Sequence, residues 1–356
     1  MYKSFKIKNF RCFKELAITS FKRVNLIAGL NNVGKTALLE ALFLHCGATN
    51  PKLTFKINAF RGIEKIKVEI GTWAEIGAWH WLFWHFDTSK EIELEGEDSR
   101  RRQSLLRIKL SRGGKILLDD FNTSKEIPLS SEISTQMLTF EFQRGISGRE
   151  SYSMFIDQKG IRIEPSPPPL PFLAIFLAAR TRIPPQEDAE RYGELDALGQ
   201  QERLLEVLKI IEPRLSRLSV VVSGGVPIIH GDIGLGRLVP LPIMGEGMAR
   251  LCSLVLAIAK ARKGVVLIDE IENGLHHSII DKVWKAIAKA AEEFDTQIFA
   301  TTHSLECIVA AHKAFEESDV YDFQLYRLER INDTINVISY DQEDLATAIE
   351  EGFEVR

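Results

Sequence analysis

The chain changes its hydrophobic period several times, and each change marks an element. Residues 5–19 alternate apolar and polar positions in the manner of strands, with a turn near Arg11–Lys14. A strand at Val24–Ala28 runs into a glycine-bounded loop, and an Ala- and Leu-rich helix follows from Thr36 to about His45. Residues 54–165 read as β-rich and irregular, with alternating or apolar stretches at Lys65–Gly71, Glu91–Leu94, Leu105–Leu110, Lys115–Leu118 and Met137–Gln143. The proline-rich run Ser166–Pro171 reads as a hinge before a strand at Phe172–Ala178. Helical patterns cover Ala189–Leu195 and Glu202–Ile211, short strands joined by glycines fill 214–242, and a long helix follows Gly245 to about Ala261. A buried strand (Val265–Ile268), a helix (His277–Glu293), a second strand (Gln297–Thr301) and a helix from Ser304 come next. The pair Phe323–Leu328 and Ile335–Tyr340 reads as a hairpin, ahead of an acidic amphipathic tail, Asp341–Glu354. No internal repeat and no heptad run of coiled-coil length is present.

Composition narrows the class. A 45% hydrophobic fraction over 356 residues supports a sizeable core. The net charge of −4 argues against a surface coated in positive charge for nucleic acid, while leaving a local basic groove open. Cys12, Cys46, Cys252 and Cys307 are far apart and form no CxxC pair, which suits reduced core residues. The opening MYKSFKIKNF has no apolar signal core, and the longest apolar run, near Leu170–Ala179, falls short of a membrane span. The expectation is a soluble cytoplasmic protein with no membrane partner.

Three motifs carry chemistry. Gly29-Leu30-Asn31-Asn32-Val33-Gly34-Lys35-Thr36 fits G-x-x-x-x-G-K-[ST], between an apolar strand and a helix that begins Thr36-Ala37. Glycines let backbone amides curl toward phosphates, and the helix N-terminus adds its positive dipole end. In this pattern Lys35 reaches the β- and γ-phosphates of ATP, and the Thr36 hydroxyl ligates Mg²⁺. Val265–Ile268 is an apolar run ending in Asp269 and Glu270, as befits a strand buried on both faces whose acids emerge at the carboxyl edge of a parallel sheet. There Asp269 holds the Mg²⁺ shell and Glu270 polarises the attacking water. Taken alone, the two acids also suit a helix cap; the phosphate loop favours the catalytic reading. Ile298–Thr301 repeats the arrangement and ends in Thr302-His303-Ser304, where His303 is positioned for a γ-phosphate oxygen or the water. Lys35 and Asp269 stand 234 positions apart (269 − 35), far more than a compact βαβ unit needs, so a large insertion separates two halves of one ATPase core.

These residues resemble the RecF/SMC/OLD-like ABC ATPases, in the branch of short bacterial proteins labelled AAA family ATPases. Ile7-Lys8-Asn9-Phe10-Arg11 resembles the family's I-x-N-F-R opening, and Gly29 and Asn31 match its G-x-N phosphate loop. Asp269-Glu270-Ile271-Glu272-Asn273-Gly274-Leu275-His276 resembles its Walker B and D-loop, and Thr302-His303-Ser304 its H-loop. The match covers residues 1–50 and 240–310. It implies ATP and Mg²⁺ as cofactors and a head-to-head homodimer, or higher assembly, in which the signature loop of one copy completes the site of the other. The corresponding segment is Met244–Arg250, with Gly245 and Gly247 offering amides at a helix start. Gly245 stands where the family has serine, which removes a hydroxyl contact to the γ-phosphate. Arg11 is expected beside the nucleotide or, equally, on the surface. The Q-loop glutamine has only Gln143 and Gln186 as weak candidates. The implied fold is α/β: a P-loop NTPase of ABC type with a mixed sheet core and a β-rich and helical insertion between Walker A and the signature loop. Its expected divisions are 1–50 with 214–340 as core, 51–213 as insertion, partly completing the core sheet, and 341–356 as acidic tail.

Other clusters remain open. Trp73, Trp79, Trp81 and Trp84, with His80, Phe83, His85 and Phe86, suit a partner surface or, more simply, aromatics packed inside the insertion. Arg100, Arg101, Arg102, Arg107, Lys109, Arg112 and Lys115 form either a strip for DNA phosphates or a solvated strand pair beside acidic Glu91–Asp98. The chain runs 53 residues beyond His303 (356 − 303), too few for the TOPRIM nuclease domain of longer OLD relatives, so a nuclease or toxin activity is expected on a separate polypeptide. The favoured role is an ATPase switch or sensor controlling such an effector, the kind of protein that serves in bacterial anti-phage defence. The alternatives are a DNA-maintenance ATPase of RecF type, a transporter subunit, and a non-hydrolysing ATP clamp; the last is disfavoured by Glu270.

Overall fold

A computed structural model describes residues 1–63, 79–112, 136–145, 148–157, 160–169, 173–180 and 183–356. Its centre is a six-stranded sheet in the order Thr334–Tyr340, Phe323–Ile331, Val24–Ala28, Gln297–Thr301, Val265–Ile268 and Ala174–Leu177. All neighbours are parallel except the C-terminal hairpin. Both faces of this sheet are covered, so its central strands are buried at every position. Alternate residues enter different cores: Val266 and Ile268 join one hydrophobic cluster, Val265 and Leu267 the other.

On one face lie the helices Glu246–Lys260, Ile280–Glu293 and Leu305–Glu316. On the other lies the helix Lys35–Cys46, held between the central sheet and a seven-stranded antiparallel sheet. That second sheet runs in the order Phe13–Ile18, Tyr2–Phe10, Ile92–Asp98, Gln103–Arg112, Gln136–Arg144, Glu150–Asp157 and Gly160–Glu164. Sandwiched on two sides, Lys35–Cys46 is apolar around its circumference and carries the charged Glu40 at 0% exposure. A smaller lobe consists of the helices Pro185–Ala197 and Gln201–Leu208 with the strands Arg217–Ser223, Val226–Asp232 and Val239–Pro240, packed against Glu246–Lys260.

Some elements differ from the sequence expectation. Residues 53–60 form a helix within the stretch read as β-rich. The aromatic cluster forms two 3₁₀ turns, His80–Leu82 and Trp84–Phe86, in which Trp79 is wholly buried while Trp81 and Phe86 are exposed. Trp73, Lys65–Gly71 and Lys115–Leu118 lie outside the described residues. The tail forms the helix Gln342–Glu350, capped by the Asp341 side chain. Among the described residues no helix is long and apolar enough to cross a membrane.

Register fixes the functional edge. Ile268 pairs with Ala300, and Thr301 with Ile27, so these three strands end level with one another. The loop after Ala28, the acids after Ile268 and the polar run after Thr301 therefore emerge together at the carboxyl edge.

Candidate active site

The phosphate loop is shaped by two positions where only glycine fits. Gly29 adopts φ 143°, and a Cβ there would lie 2.6 Å from the Leu328 carbonyl oxygen. Gly34 adopts φ 97°, and its Cβ would meet Cys12 Sγ at 2.7 Å. Asn32 is also left-handed, at φ 65°, a conformation asparagine tolerates better than most residues. The loop leaves a backbone cradle at the start of Lys35–Cys46, with Val33 and Ala37 buried beneath it. Lys35 Nζ donates to the carbonyls of Gly29 at 2.5 Å and Leu30 at 2.9 Å, so the ammonium is folded back into its own loop. Burial lowers its pKa, while Asp269, Glu270 and Glu272 pull the other way.

The acidic edge meets this loop directly. Thr36 Oγ1 donates to Asp269 Oδ1 and Oδ2, at 3.0 and 3.1 Å. Thr301 Oγ1 donates to Asp269 Oδ1 at 2.8 Å and accepts from the Glu270 amide at 2.8 Å. That second bond holds Glu270 at φ 49°, a strained backbone for a glutamate. A hydroxyl and a carboxylate are the hard oxygen donors that Mg²⁺ takes, so Thr36 and Asp269 fit that ion. The His303 amide donates to Glu272 Oε1 at 2.9 Å, and His303 Nδ1 lies 3.1 Å from the same oxygen, with the ring 54% exposed.

Arg11 sits elsewhere than on the surface. Its guanidinium is buried against Glu40, with Nε 2.8 Å from Oε2, and donates to Asn58 Oδ1 at 3.2 Å. Arg61 clasps the same carboxylate through Nε at 2.6 Å and Nη2 at 3.0 Å. Glu40 lies one turn along the helix from Thr36, so this trio anchors the helix that carries the phosphate loop. Glu40, Arg61 and Thr301 escaped the sequence reading. Their signals were a lone acid within KTALLEALFLHC and a polar residue closing a wholly buried strand.

The remaining candidates lie apart from this cluster. Gly245 caps the helix Glu246–Lys260 at φ 132° and ψ 149°, a region essentially reserved for glycine. Gly247 packs so closely on Ile279 that a Cβ would come within 2.3 Å of its Cδ1. Gln143 lies within the antiparallel sheet beside Leu105, and Gln186 is exposed in the first turn of Pro185–Ala197. Three of the seven cations of the basic strip are paired with acids. Arg102 pairs with Asp98 at 2.6 Å, Arg107 with Glu93 at 3.3 Å, and Lys109 with both Glu91 and Glu141, at 3.0 and 3.2 Å.

A level carboxyl edge bearing a glycine-shaped phosphate loop, with Thr36 bonded to an acid at the end of a parallel strand, defines a P-loop ATPase. Residues 24–308, well over half the chain, match the family described as "AAA domain, putative AbiEii toxin, Type IV TA system", and the chain belongs to that family. It is 24% identical over 375 residues to a Helicobacter pylori (strain ATCC 700392 / 26695) protein named "ATP/GTP phosphatase", covering 97% of each chain. A 48-residue stretch is 44% identical to an uncharacterized protein of Methanocaldococcus jannaschii, covering 14% of this chain and 22% of the other. In fold it is similar to an SMC head solved bound to the C-winged helix domain of ScpA, with a TM-score of 0.51 and 10% identity over 97% of this chain and 99% of that one.

Proposed function

We propose that this protein binds ATP with Mg²⁺ and hydrolyses it in a site completed by a second copy, using the cycle to switch a separate effector. The observation that carries the reading is the joined pair Thr36–Asp269, with Glu270 held beside it by Thr301. In this mechanism the phosphates settle on the loop amides and Lys35 exchanges the Gly29 and Leu30 carbonyls for phosphate oxygens. Thr36 and Asp269 would hold the Mg²⁺, which would supply charge neutralisation on the phosphate oxygens. Glu270 orients a water and takes its proton as the water oxygen bonds the γ-phosphorus. The bond from that phosphorus to the β–γ bridging oxygen breaks, leaving ADP and phosphate. His303, held by Glu272, faces the γ-phosphate. Gly245 and Gly247 present helix-start amides to the γ-phosphate of the other copy, in place of the serine hydroxyl.

Support for hydrolysis comes from the name of the Helicobacter pylori relative, and the family's description speaks of a toxin system, which favours a toxin- or nuclease-like effector and a defence role. The ion pairs that neutralise Arg102, Arg107 and Lys109 count against the alternative of a DNA-maintenance ATPase.

The test is Glu270→Gln beside wild type, followed by ATP turnover and by mass in solution with and without ATP. Turnover is expected to fall by about 10²–10⁴-fold, the usual contribution of a general base, with ATP trapping the variant as a dimer or larger assembly. Unchanged turnover together with a mass indifferent to ATP would refute both the base and the composite site.

A further inference from the structure

A triphosphate lies across a phosphate loop with a direction. In the central sheet the strand Val24–Ala28 has Gln297–Thr301 on one flank, with the acid-tipped strand Val265–Ile268 beyond it. Its other flank is Phe323–Ile331. A nucleotide whose γ-phosphate is drawn toward Thr36 and Asp269 therefore carries its nucleoside toward the opposite flank. A cleft of about 500 Å³ opens there, between the loop tip and the end of the strand Phe323–Ile331. That volume is in the range of small-molecule sites.

The lining suits a flat, partly polar ring. Leu30 and Ile331 supply exposed apolar walls, at 69% and 51% exposure. Arg327 and Glu329 are committed to each other at 2.5 Å. Arg330 donates from Nη2 to the Asn32 carbonyl at 3.2 Å, which anchors its otherwise exposed guanidinium over the loop. The same charge reaches Cys12: burial raises that thiol, and Arg330 partly offsets the rise. Cys12 Sγ abuts Gly34, so the turn of the N-terminal hairpin packs against the same loop.

We infer that this cleft seats the nucleoside of a purine triphosphate, with the Arg330 guanidinium plane stacked on the base. The inference rests on the ATP-binding reading above. A guanidinium stacks on either purine without reading its edge, so Arg330 supports ATP and GTP alike.

The test compares binding of ATP, GTP and inorganic tripolyphosphate, each with Mg²⁺, to wild type, Arg330→Ala, Arg330→Lys and Ile331→Glu. Both substituted positions are exposed, and folding is checked by thermal melting. Arg330→Ala is expected to weaken ATP and GTP by about tenfold, the low end of what stacking on a base contributes, and to leave tripolyphosphate within about twofold. Arg330→Lys keeps the charge but loses the plane, and is expected to restore neither nucleotide. Ile331→Glu is expected to weaken both nucleotides and again spare tripolyphosphate. An equal loss for tripolyphosphate, or rescue by lysine, makes Arg330 a phosphate or loop contact and overturns the stacking seat. Unchanged nucleotide affinity in both Arg330→Ala and Ile331→Glu overturns the cleft. Failure of wild type to bind any of the three refutes the nucleotide reading itself, a result distinct from either of those.

Discussion

Thr301 is the residue through which the strands of the site speak to one another. One hydroxyl donates to Asp269 and accepts from the Glu270 amide, so it fixes the metal ligand and the base together. Thr301→Val keeps the shape and deletes both bonds, leaving a buried carboxylate oxygen and a strained amide short of partners. The expected cost is about 1–3 kcal/mol in urea denaturation, with ATP turnover down by at least about tenfold, while Thr301→Ser keeps most of both. Wild-type turnover in the valine variant would show that Asp269 and Glu270 hold their places without it. Sequence could not nominate Thr301, because its partner Asp269 is 32 positions away and a strand-ending threonine is ordinary. Glu40 poses the same problem: its cations, Arg11 and Arg61, come from 29 and 21 positions away on either side of it (40 − 11 and 61 − 40). The phosphate loop was legible because its whole chemistry fits in eight consecutive residues.

Elements were legible where their pattern was unbroken, as in the apolar run Val265–Ile268 and the periodic helix Ile280–Glu293. The helix Leu53–Phe60 was missed because LTFKINAF carries threonine, isoleucine and phenylalanine, which favour strands in isolation. Packing overrides that preference: Ile57 is buried, and Arg61, just past the helix end, clasps Glu40. The join between the lobe helix Pro185–Ala197 and Glu246–Lys260 carries its own titration. Asp188 accepts a hydrogen bond from Ser253 there, and burial pushes its pKa up to about 6. A carboxyl raised in the folded state contributes stability that is full below its unfolded pKa, near 4, and lost as pH rises through about 6. Relative to Asp188→Asn, wild type is therefore expected to gain roughly 1–2 kcal/mol between pH 7 and pH 5. Urea midpoints at the two pH values check this, and parallel profiles would contradict it. The comparison must be made as a difference, because His45, pushed down to about 4 by burial, contributes with the opposite sign: its share is present above about 6.5 and lost as pH falls through 4.

At the scale of the molecule, one carboxyl edge carries the phosphate loop and both acids, yet the loop at Gly245 begins a helix that serves the other core. Its backbone, at φ 132° and ψ 149°, is a conformation that the helix start alone does not require, since a serine or aspartate cap would satisfy the same amides without strain. A Cβ at Gly245 would meet nothing within 4 Å, so open space surrounds it and local crowding is not the reason for glycine. The proposed sandwich gives a reason: the amides are shaped for an anion delivered by a second copy. Gly245→Glu, made in the Glu270→Gln background that holds ATP, sets a carboxylate where that anion would arrive. ATP-driven dimerisation is expected to disappear in solution mass measurements, while ATP affinity of the single chain stays within about threefold, because each copy's own loop, Lys35 and Asp269 are untouched. Thermal melting separates this outcome from loss of fold, since strain at one such backbone position costs about 1–3 kcal/mol. A dimer that persists with Gly245→Glu would move the second copy's contribution away from the signature loop; loss of ATP binding by the single chain would mean that Gly245 supports the site of its own copy.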